Sequence, residues 1–290
     1  MDEAPDPPRI AALIRWAARE IASSPTPFLD ARVLAKCAFG LDDVGLIADG
    51  NRIVDETSVD RFRRMVERRT RDEPVAYIVG RREFWSLDIE TARGVLVPRS
   101  DSETLIEAVI ARRDRSAPLR ILDLGAGTGA LLCALLSEFP EAQGLGVDIN
   151  PEAVALAGRN LAKCGLSDRS RAQESDWFNA VSGSFDIIVS NPPYIPTGER
   201  ESLPREVADY ESPLALFAGA DGLDAYRRIL AAAAAFLEPD GLLAAEFGAG
   251  QAETVKHMAE RAFPAARIAV EPDLSGRPRV VTIDLKRPSN

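Results

Sequence analysis

The sequence predicts an α/β protein, a mostly parallel twisted sheet with helices on both faces, preceded by a small all-helical N-terminal domain and a β-hairpin connector. Three observations lead there. Beyond Pro118 short apolar runs alternate with helical stretches, a glycine-rich loop follows the first run, and the residues before about position 100 lack that alternation. Strand–helix alternation means βαβ units, whose crossover helices cover both faces of a parallel sheet.

The N-terminal part reads as helical. Ile10, Leu13, Ile14, Ala17 and Ile21 recur at helical spacing, and Leu29, Val33, Leu34 and Cys37 do so before Gly40 stops the turn. A third helix is expected to open at Thr57 with Asp60 as its capping-box partner, burying Val59, Phe62, Met65 and Val66. Its arginines, Arg61, Arg63, Arg64, Arg68, Arg69 and Arg71, read as a solvated face paired with Glu67, Asp72 and Glu73, with docking of a partner or an RNA backbone as the functional alternative. From Gly80 the period changes to two. Leu87 and Ile89, then Val95 and Val97, predict short strands that turn near Ala92-Arg93-Gly94. Ser100 is expected to cap the next helix with Glu103. The chain thus divides into a helical docking domain at 1–75, a hairpin connector at 76–99 and a sheet domain at 100–290.

In the sheet domain the apolar runs at 121–124, 144–147, 185–189 and 242–247 are the expected strands. The alanine run at 231–235 favours helix and feeds Phe236 and Leu237 into the core.

Composition narrows the chemistry. No apolar run approaches the roughly 20 residues that cross a bilayer. The opening Met1-Asp2-Glu3-Ala4-Pro5-Asp6-Pro7-Pro8 is acidic and proline-rich, unlike a secretory or transit signal, so a cytoplasmic location is expected. Cys37, Cys133 and Cys164 are too scattered for a disulfide framework or a zinc cluster. His257 is the only histidine, which excludes a histidine triad and a multi-histidine metal site. The net charge is −10, and neither the first 75 residues nor the remainder is positive. Phosphate-neutralising proteins usually show a basic face, so a nucleic-acid substrate is disfavoured.

Two segments carry the chemistry. Asp123-Leu124-Gly125-Ala126-Gly127-Thr128-Gly129 follows a strand and opens a helix. Such a loop sits at the carboxyl end of the sheet, where open α/β folds bind ligands, and glycine lets the backbone approach a ligand closely. The next strand ends on Asp148, where nucleotide-binding folds place an acid for ribose hydroxyls. The second segment is Asn191-Pro192-Pro193-Tyr194, directly after the strand at 185–189. Two prolines fix the backbone and remove donors, leaving acceptors beside an aromatic ring. That is a receptor for a planar NH2 group.

Loop, acid and tetrapeptide together resemble a class I S-adenosylmethionine methyltransferase, Rossmann-like in fold, acting on a planar nitrogen. Further segments are similar to the HemK/PrmC family, the glutamine N5-methyltransferases of peptide-chain release factors. They are Gly80-Arg81-Arg82-Glu83-Phe84-Trp85, Val95-Leu96-Val97-Pro98-Arg99-Ser100-Asp101-Ser102-Glu103, Asp176-Trp177-Phe178, the stretches 219–223 and 246–248, and Asp273-Leu274-Ser275-Gly276-Arg277-Pro278-Arg279-Val280. The resemblance implies S-adenosylmethionine as cofactor, bound by Gly125, Ala126, Gly127, Thr128, Gly129, Asp148, Trp177 and Asn191. It implies class 1 release factors as protein substrates, methylated on the glutamine of a Gly-Gly-Gln motif. Asn191, Pro192 and Tyr194 are then catalytic. Asn191, Pro192, Pro193, Tyr194 and Glu246 are then in contact with the substrate amide, with Tyr194 packed on its plane and Glu246 framing the pocket. No metal and no membrane are implied. Ser100 and Ser102 depart from the family, which usually has Pro and Thr there. The alternatives are a nucleic-acid exocyclic-amine (adenine N6-type) methyltransferase, which shares Asn-Pro-Pro-Tyr, and a non-enzymatic binding protein on the same fold.

Overall fold

In the computed structural model, which describes residues 5–285, the chain begins with five helices. They are α1 (Ile10–Glu20), α2 (Pro27–Phe39), α3 (Asp43–Ala48), α4 (Glu56–Arg69) and α5 (Val75–Val79). Leu13, Ala17, Leu34, Phe62 and Val66 meet in their shared core. The α1 face is the one its spacing predicts, but α2 turns differently. It buries Ala31, Leu34, Ala35 and Ala38 and leaves Leu29 59% exposed, so a small-residue face packs inward instead of the bulkier stripe. Helix α4 opens at Glu56 because Asp55, not Thr57, is its cap, its carboxylate accepting from the Ser58 N–H at 2.9 Å. Arg69 is also not on the solvated face. It is buried, donates to Asp30 at 2.8 Å and pairs with Glu206 at 2.8 Å. Arg68 pairs with Glu73 and Arg71 with Glu67, as charge spacing suggested.

This first unit runs to Arg81 and takes back the segment Pro204–Tyr210, so its limit lies past the boundary at 75 drawn from sequence. The second unit runs from Arg82 to Leu203 and resumes at Glu211. A hairpin of β1 (Arg81–Phe84) and β2 (Leu87–Glu90) leads into it, turning at Trp85 and Ser86, both with positive φ. Positive φ at both central residues is the twist-matched geometry for a two-residue hairpin. The expected turn at Ala92-Arg93-Gly94 exists, with Val95 N–H donating to the Ala92 carbonyl, but Val95 and Val97 form no strand. A short 3-10 turn, Ser100–Ser102, precedes α6 (Glu103–Ile110), whose start has no side-chain cap. Glu103 instead accepts from the Trp85 N–H at 3.0 Å, tying the helix to the hairpin.

Then follow β3 (Arg120–Leu124), α7 (Ala130–Glu138), β4 (Gln143–Asp148), α8 (Pro151–Lys163), β5 (Ser170–Glu174), β6 (Phe185–Ser190), β7 (Leu237–Glu246), β8 (Arg267–Pro272) and β9 (Pro278–Asp284). Seven strands pair in the order β5-β4-β3-β6-β7-β9-β8. Strands β3 to β7 run parallel, and β9 is antiparallel to β7 and β8. Successive residues serve opposite faces: Ile121, Ile187 and Val189 pack with α6 and α7, while Leu122, Ile188 and Leu243 pack under the helices Asp224–Ala232 and Ala252–Ala262. Burial on both faces explains why these strands read as continuous apolar runs. The chain reverses direction across the sheet between β3 and β6, the switch point where such folds bind ligands. Among the described residues no helix is long and apolar enough to cross a membrane, and no cluster of His, Cys, Asp or Glu could hold a metal.

Candidate active site

A cavity of about 320 Å³ opens at the carboxyl ends of β3, β4 and β6. Its walls include Gly125, Ala126, Gly127, Thr128, Asp148, Trp177, Asn191 and Pro193, all singled out in the sequence. Gly129, Pro192, Tyr194 and Glu246 are not among the described residues that line it.

The glycine loop has two distinct needs for glycine. Gly127 sits at φ +55° with nothing within 3.8 Å of where a side chain would start, so its backbone is bare toward the cavity. Gly129 lies behind the loop, where an added Cβ would stand 3.0 Å from the Ala157 methyl, so α7 and α8 pack closely only with glycine there. Asn160, fully buried on α8, joins the pieces: its amide donates to the Thr128 carbonyl at 2.8 Å and exchanges hydrogen bonds with Glu90 of the hairpin.

Asp148 accepts from the Gly127 N–H at 2.9 Å and from the Asn150 N–H at 2.8 Å. Those bonds orient the carboxylate at the cavity wall and leave lone pairs for hydroxyls. Burial nevertheless holds its pKa above the ordinary value. Asp123, at the end of β3, is fully buried, and neither carboxylate oxygen has a hydrogen-bond partner among the described residues. Burial first, then the charge of Asp148, push its pKa up to about 7. The cations at the rim are already engaged, Arg99 with Glu211 at 2.6 Å and Arg228 with Asp176 at 2.6 Å. Asp148 therefore lines this end of the cavity with no cation paired to it among the described residues, and Asp123 lies buried outside the lining. That suits a ligand carrying positive charge and hydroxyls, as S-adenosylmethionine does. Ile149 and Leu214, half or more exposed, and the Trp177 ring give the same cavity apolar surface for a flat base. Trp177 has φ +52°, a conformation uncommon for a non-glycine residue. Ser175 sustains it, donating to the Trp177 carbonyl at 2.7 Å and accepting from the Ala180 N–H at 3.0 Å. Sequence reasoning missed Ser175, and no motif signals it.

At the other end Asn191 follows β6. Its Nδ2 donates to the Ser102 hydroxyl at 2.9 Å, and Ser102 donates to Glu246 at 2.5 Å. Among the described residues nothing donates to the Asn191 Oδ1 or to the Pro192 carbonyl. Tyr194 is not packed toward the cavity as expected. Its hydroxyl points to Glu246 at 3.3 Å, and its ring lies so close to Gly248 that a Cβ there would meet it at 2.9 Å. Burial raises the pKa of both Tyr194 and Glu246. Glu246 frames no pocket wall, being 1% exposed behind Asn191. Gln251 clamps the tetrapeptide from outside, donating to the Tyr194 carbonyl at 2.9 Å and accepting from the Gly248 N–H at 2.9 Å. Neither Ser102 as a partner of Asn191 nor Gln251 is readable from spacing, because each acts across the fold.

Residues 12–80 match the family model for the PrmC N-terminal domain, and residues 100–204 match the methyltransferase small domain. The chain is 41% identical to the release factor glutamine methyltransferase of Bradyrhizobium diazoefficiens over 94% of its own length and 91% of the relative's. It is 42% identical to the protein of the same name from Rhodospirillum rubrum, over 90% of this chain and 79% of that one. Among solved structures, the 16S rRNA N2 G1207 methyltransferase of T. thermophilus, in complex with AdoMet and guanosine, superposes with a TM-score of 0.52 at 22% identity. That match covers 71% of this chain and 50% of that one, and speaks to the fold alone.

Proposed function

The chain belongs to the release factor glutamine methyltransferase family, and from that premise we propose how its cavity works. It is an S-adenosylmethionine-dependent enzyme that methylates the side-chain amide nitrogen of a glutamine, the one in the Gly-Gly-Gln motif of class 1 release factors. Bound S-adenosylmethionine supplies an electrophilic methyl group on a sulfonium. The chain's own residues supply orientation. Asp148 takes the ribose hydroxyls, the Gly125–Gly129 loop leaves backbone room for the cofactor's amino-acid end, and Trp177 flanks the base. Asn191 Oδ1 and the Pro192 carbonyl accept the two hydrogens of the target amide, which turns the nitrogen lone pair toward the methyl; as the N–C bond forms the S–C bond breaks, and the nitrogen then gives up one of those hydrogens as a proton. An amide nitrogen is a weak nucleophile, and fixing it in line can supply several kcal/mol of barrier reduction.

The observation that carries this reading is the free acceptor at Asn191 Oδ1, beside a cavity whose opposite end presents the Asp148 carboxylate, oriented by backbone N–H groups. The first unit we assign to docking the substrate protein, and the acidic chain, net charge −10, to a protein and not a nucleic acid. The reaction belongs in the cytoplasm, where release factors act. One experiment tests all of this. Purified enzyme and labelled cofactor are offered a whole release factor, its glutamine-to-alanine variant, a short Gly-Gly-Gln peptide, and single-stranded DNA and RNA. Label should enter the whole factor through the glutamine, enter the peptide far more slowly, and not enter the nucleic acids. Equal rates on factor and peptide would remove the docking role, and label in nucleic acid would replace the substrate.

A further inference from the structure

An asparagine side chain is symmetric in shape but not in chemistry. Rotating its amide by half a turn exchanges an acceptor for a donor at almost no steric cost. The proposed reaction needs the acceptor toward the cavity, since an NH2 group offered to the substrate's NH2 makes no hydrogen bond. Something must therefore choose the orientation of Asn191. From the chain of contacts behind it, we infer that Ser102 and Glu246 are positioning residues that hold the Asn191 amide with Oδ1 toward the substrate. This inference rests on the amide-methylating reading above.

Proton accounting carries it. An ionised carboxylate can only accept, and a serine hydroxyl has a single proton to give. Glu246, at the end of β7, is 1% exposed and accepts that proton from Ser102 at 2.5 Å. The Ser102 oxygen is then left with lone pairs only, and what faces it, at 2.9 Å, is the Asn191 amide. Only the Nδ2 end can satisfy it, so Oδ1 is turned away from Ser102. Ser102 is itself buried at 4% exposure, so water does not compete freely for the link. The direction of the whole chain is set by the charge on Glu246. Were that carboxyl protonated, it could donate to Ser102. The serine proton would then be free to point at Asn191 and support the flipped amide.

Several charged and titratable groups surround Glu246. Arg279 favours its ionised form, Asp101 opposes it, the Tyr194 hydroxyl donates to it, and the Tyr226 hydroxyl is bonded to its backbone carbonyl. Burial is the largest influence and raises its pKa above the ordinary carboxylate value. The acid limb of turnover should therefore reflect one ionisation displaced upward from a free glutamate.

The test is single-turnover methyl transfer to a release factor at saturating cofactor, for wild type, Ser102→Ala and Ser102→Thr, across pH. Ser102→Ala should slow transfer about tenfold or more, the size of effect expected from losing a charge-assisted link. Cofactor affinity should stay within about twofold, and the acid limb should disappear. Ser102→Thr keeps the hydroxyl and should restore both rate and limb. Equal rates in wild type and Ser102→Ala, or a threonine variant as slow as the alanine one, would overturn the inference. A second readout does not depend on the acceptor. The 15N resonance of the Asn191 side-chain NH2, assigned by its loss in Asn191→Ala, should titrate with Glu246 in wild type and cease to do so in Ser102→Ala. If wild type methylates no release factor, the functional reading fails. An Asn191 signal indifferent to pH and to Ser102 sinks the positioning role by itself.

Discussion

The two ends of the cavity hold their key side chains in opposite ways. Asp148 is fixed by backbone N–H groups of Gly127 and Asn150, within its own loop and the neighbouring one. Asn191 is fixed by side chains, a serine 89 residues earlier and, through it, a glutamate at the end of another strand. A backbone N–H, present at every residue but proline, can only donate and cannot reverse. A side-chain relay has a direction that depends on protonation. The cofactor end is thus held by a static cradle, and the acceptor end by a device whose polarity can be lost.

The sharpest way to break this comparison is Asn191→Ala. It removes the acceptor and leaves the glycine loop and Asp148 untouched, so cofactor affinity should fall only modestly. Transfer to a release factor should fall about 100-fold or more, since small misplacements of reacting groups cost on that order. Single-turnover kinetics beside a binding titration would separate the two. Near-normal transfer would end the amide-clamp mechanism. Asp148→Ala should give the reverse pattern. Affinity for S-adenosylmethionine should weaken roughly tenfold or more from loss of a charged acceptor, with little further change at saturation. Unchanged affinity by calorimetry would remove Asp148 from the site.

The same contrast explains what the sequence could tell. The glycine loop, Asp148 and Asn191 were legible because each sits at a strand end within a short motif. The five parallel strands were legible only where both faces are buried. Edge strand β5, Ser-Arg-Ala-Gln-Glu, has one half-exposed side and no apolar run, and was missed. The hairpin was displaced because Trp85 and Ser86 turn with positive φ without a glycine to announce it. Thr57 looked like a cap because a capping box is a local pattern, but Asp55, two residues earlier, accepts from the Ser58 N–H and opens the helix there. Ser102, Glu246 and Gln251 work through contacts between distant elements, for which a single sequence carries no signal. Tyr194 was placed in the motif but not in space. Its neighbours decide where the ring goes.

A third prediction concerns the carboxylate with no partner. In the fold the pKa of Asp123 is raised from 3.8 to about 7. A raised pKa means that the protonated form is favoured in the folded state. Its stabilising contribution is complete below about pH 4 and is lost as pH rises through about 7. Asp123→Asn cannot titrate. In the absence of cofactor, wild type should therefore lose Tm relative to the variant between pH 5 and pH 8, by a few degrees. Parallel Tm curves for the two proteins would show that Asp123 finds a partner in solution.

The smallest effect expected is that of Tyr194→Phe, and it asks whether Tyr194 belongs to the chemistry or to its support. The hydroxyl lies 3.3 Å from Glu246, longer than a good O–H···O bond, and Glu246 keeps Ser102 as its closer donor. The ring, which packs against Gly248, is retained by phenylalanine. The backbone carbonyl stays clamped by Gln251. Loss of the hydroxyl should therefore cost no more than about 1 kcal/mol, a shift of roughly 2 to 4 °C in Tm for a protein of this size. Transfer should slow by a few-fold at most. The acid limb of the rate should move slightly up in pH, because Glu246 loses a donor that lowers its pKa while the phenylalanine ring keeps it buried. A fall near that of Asn191→Ala would mean that the hydroxyl turns into the cavity and touches the reacting amide. Tyr194 would then move from the supporting wall to the reaction itself.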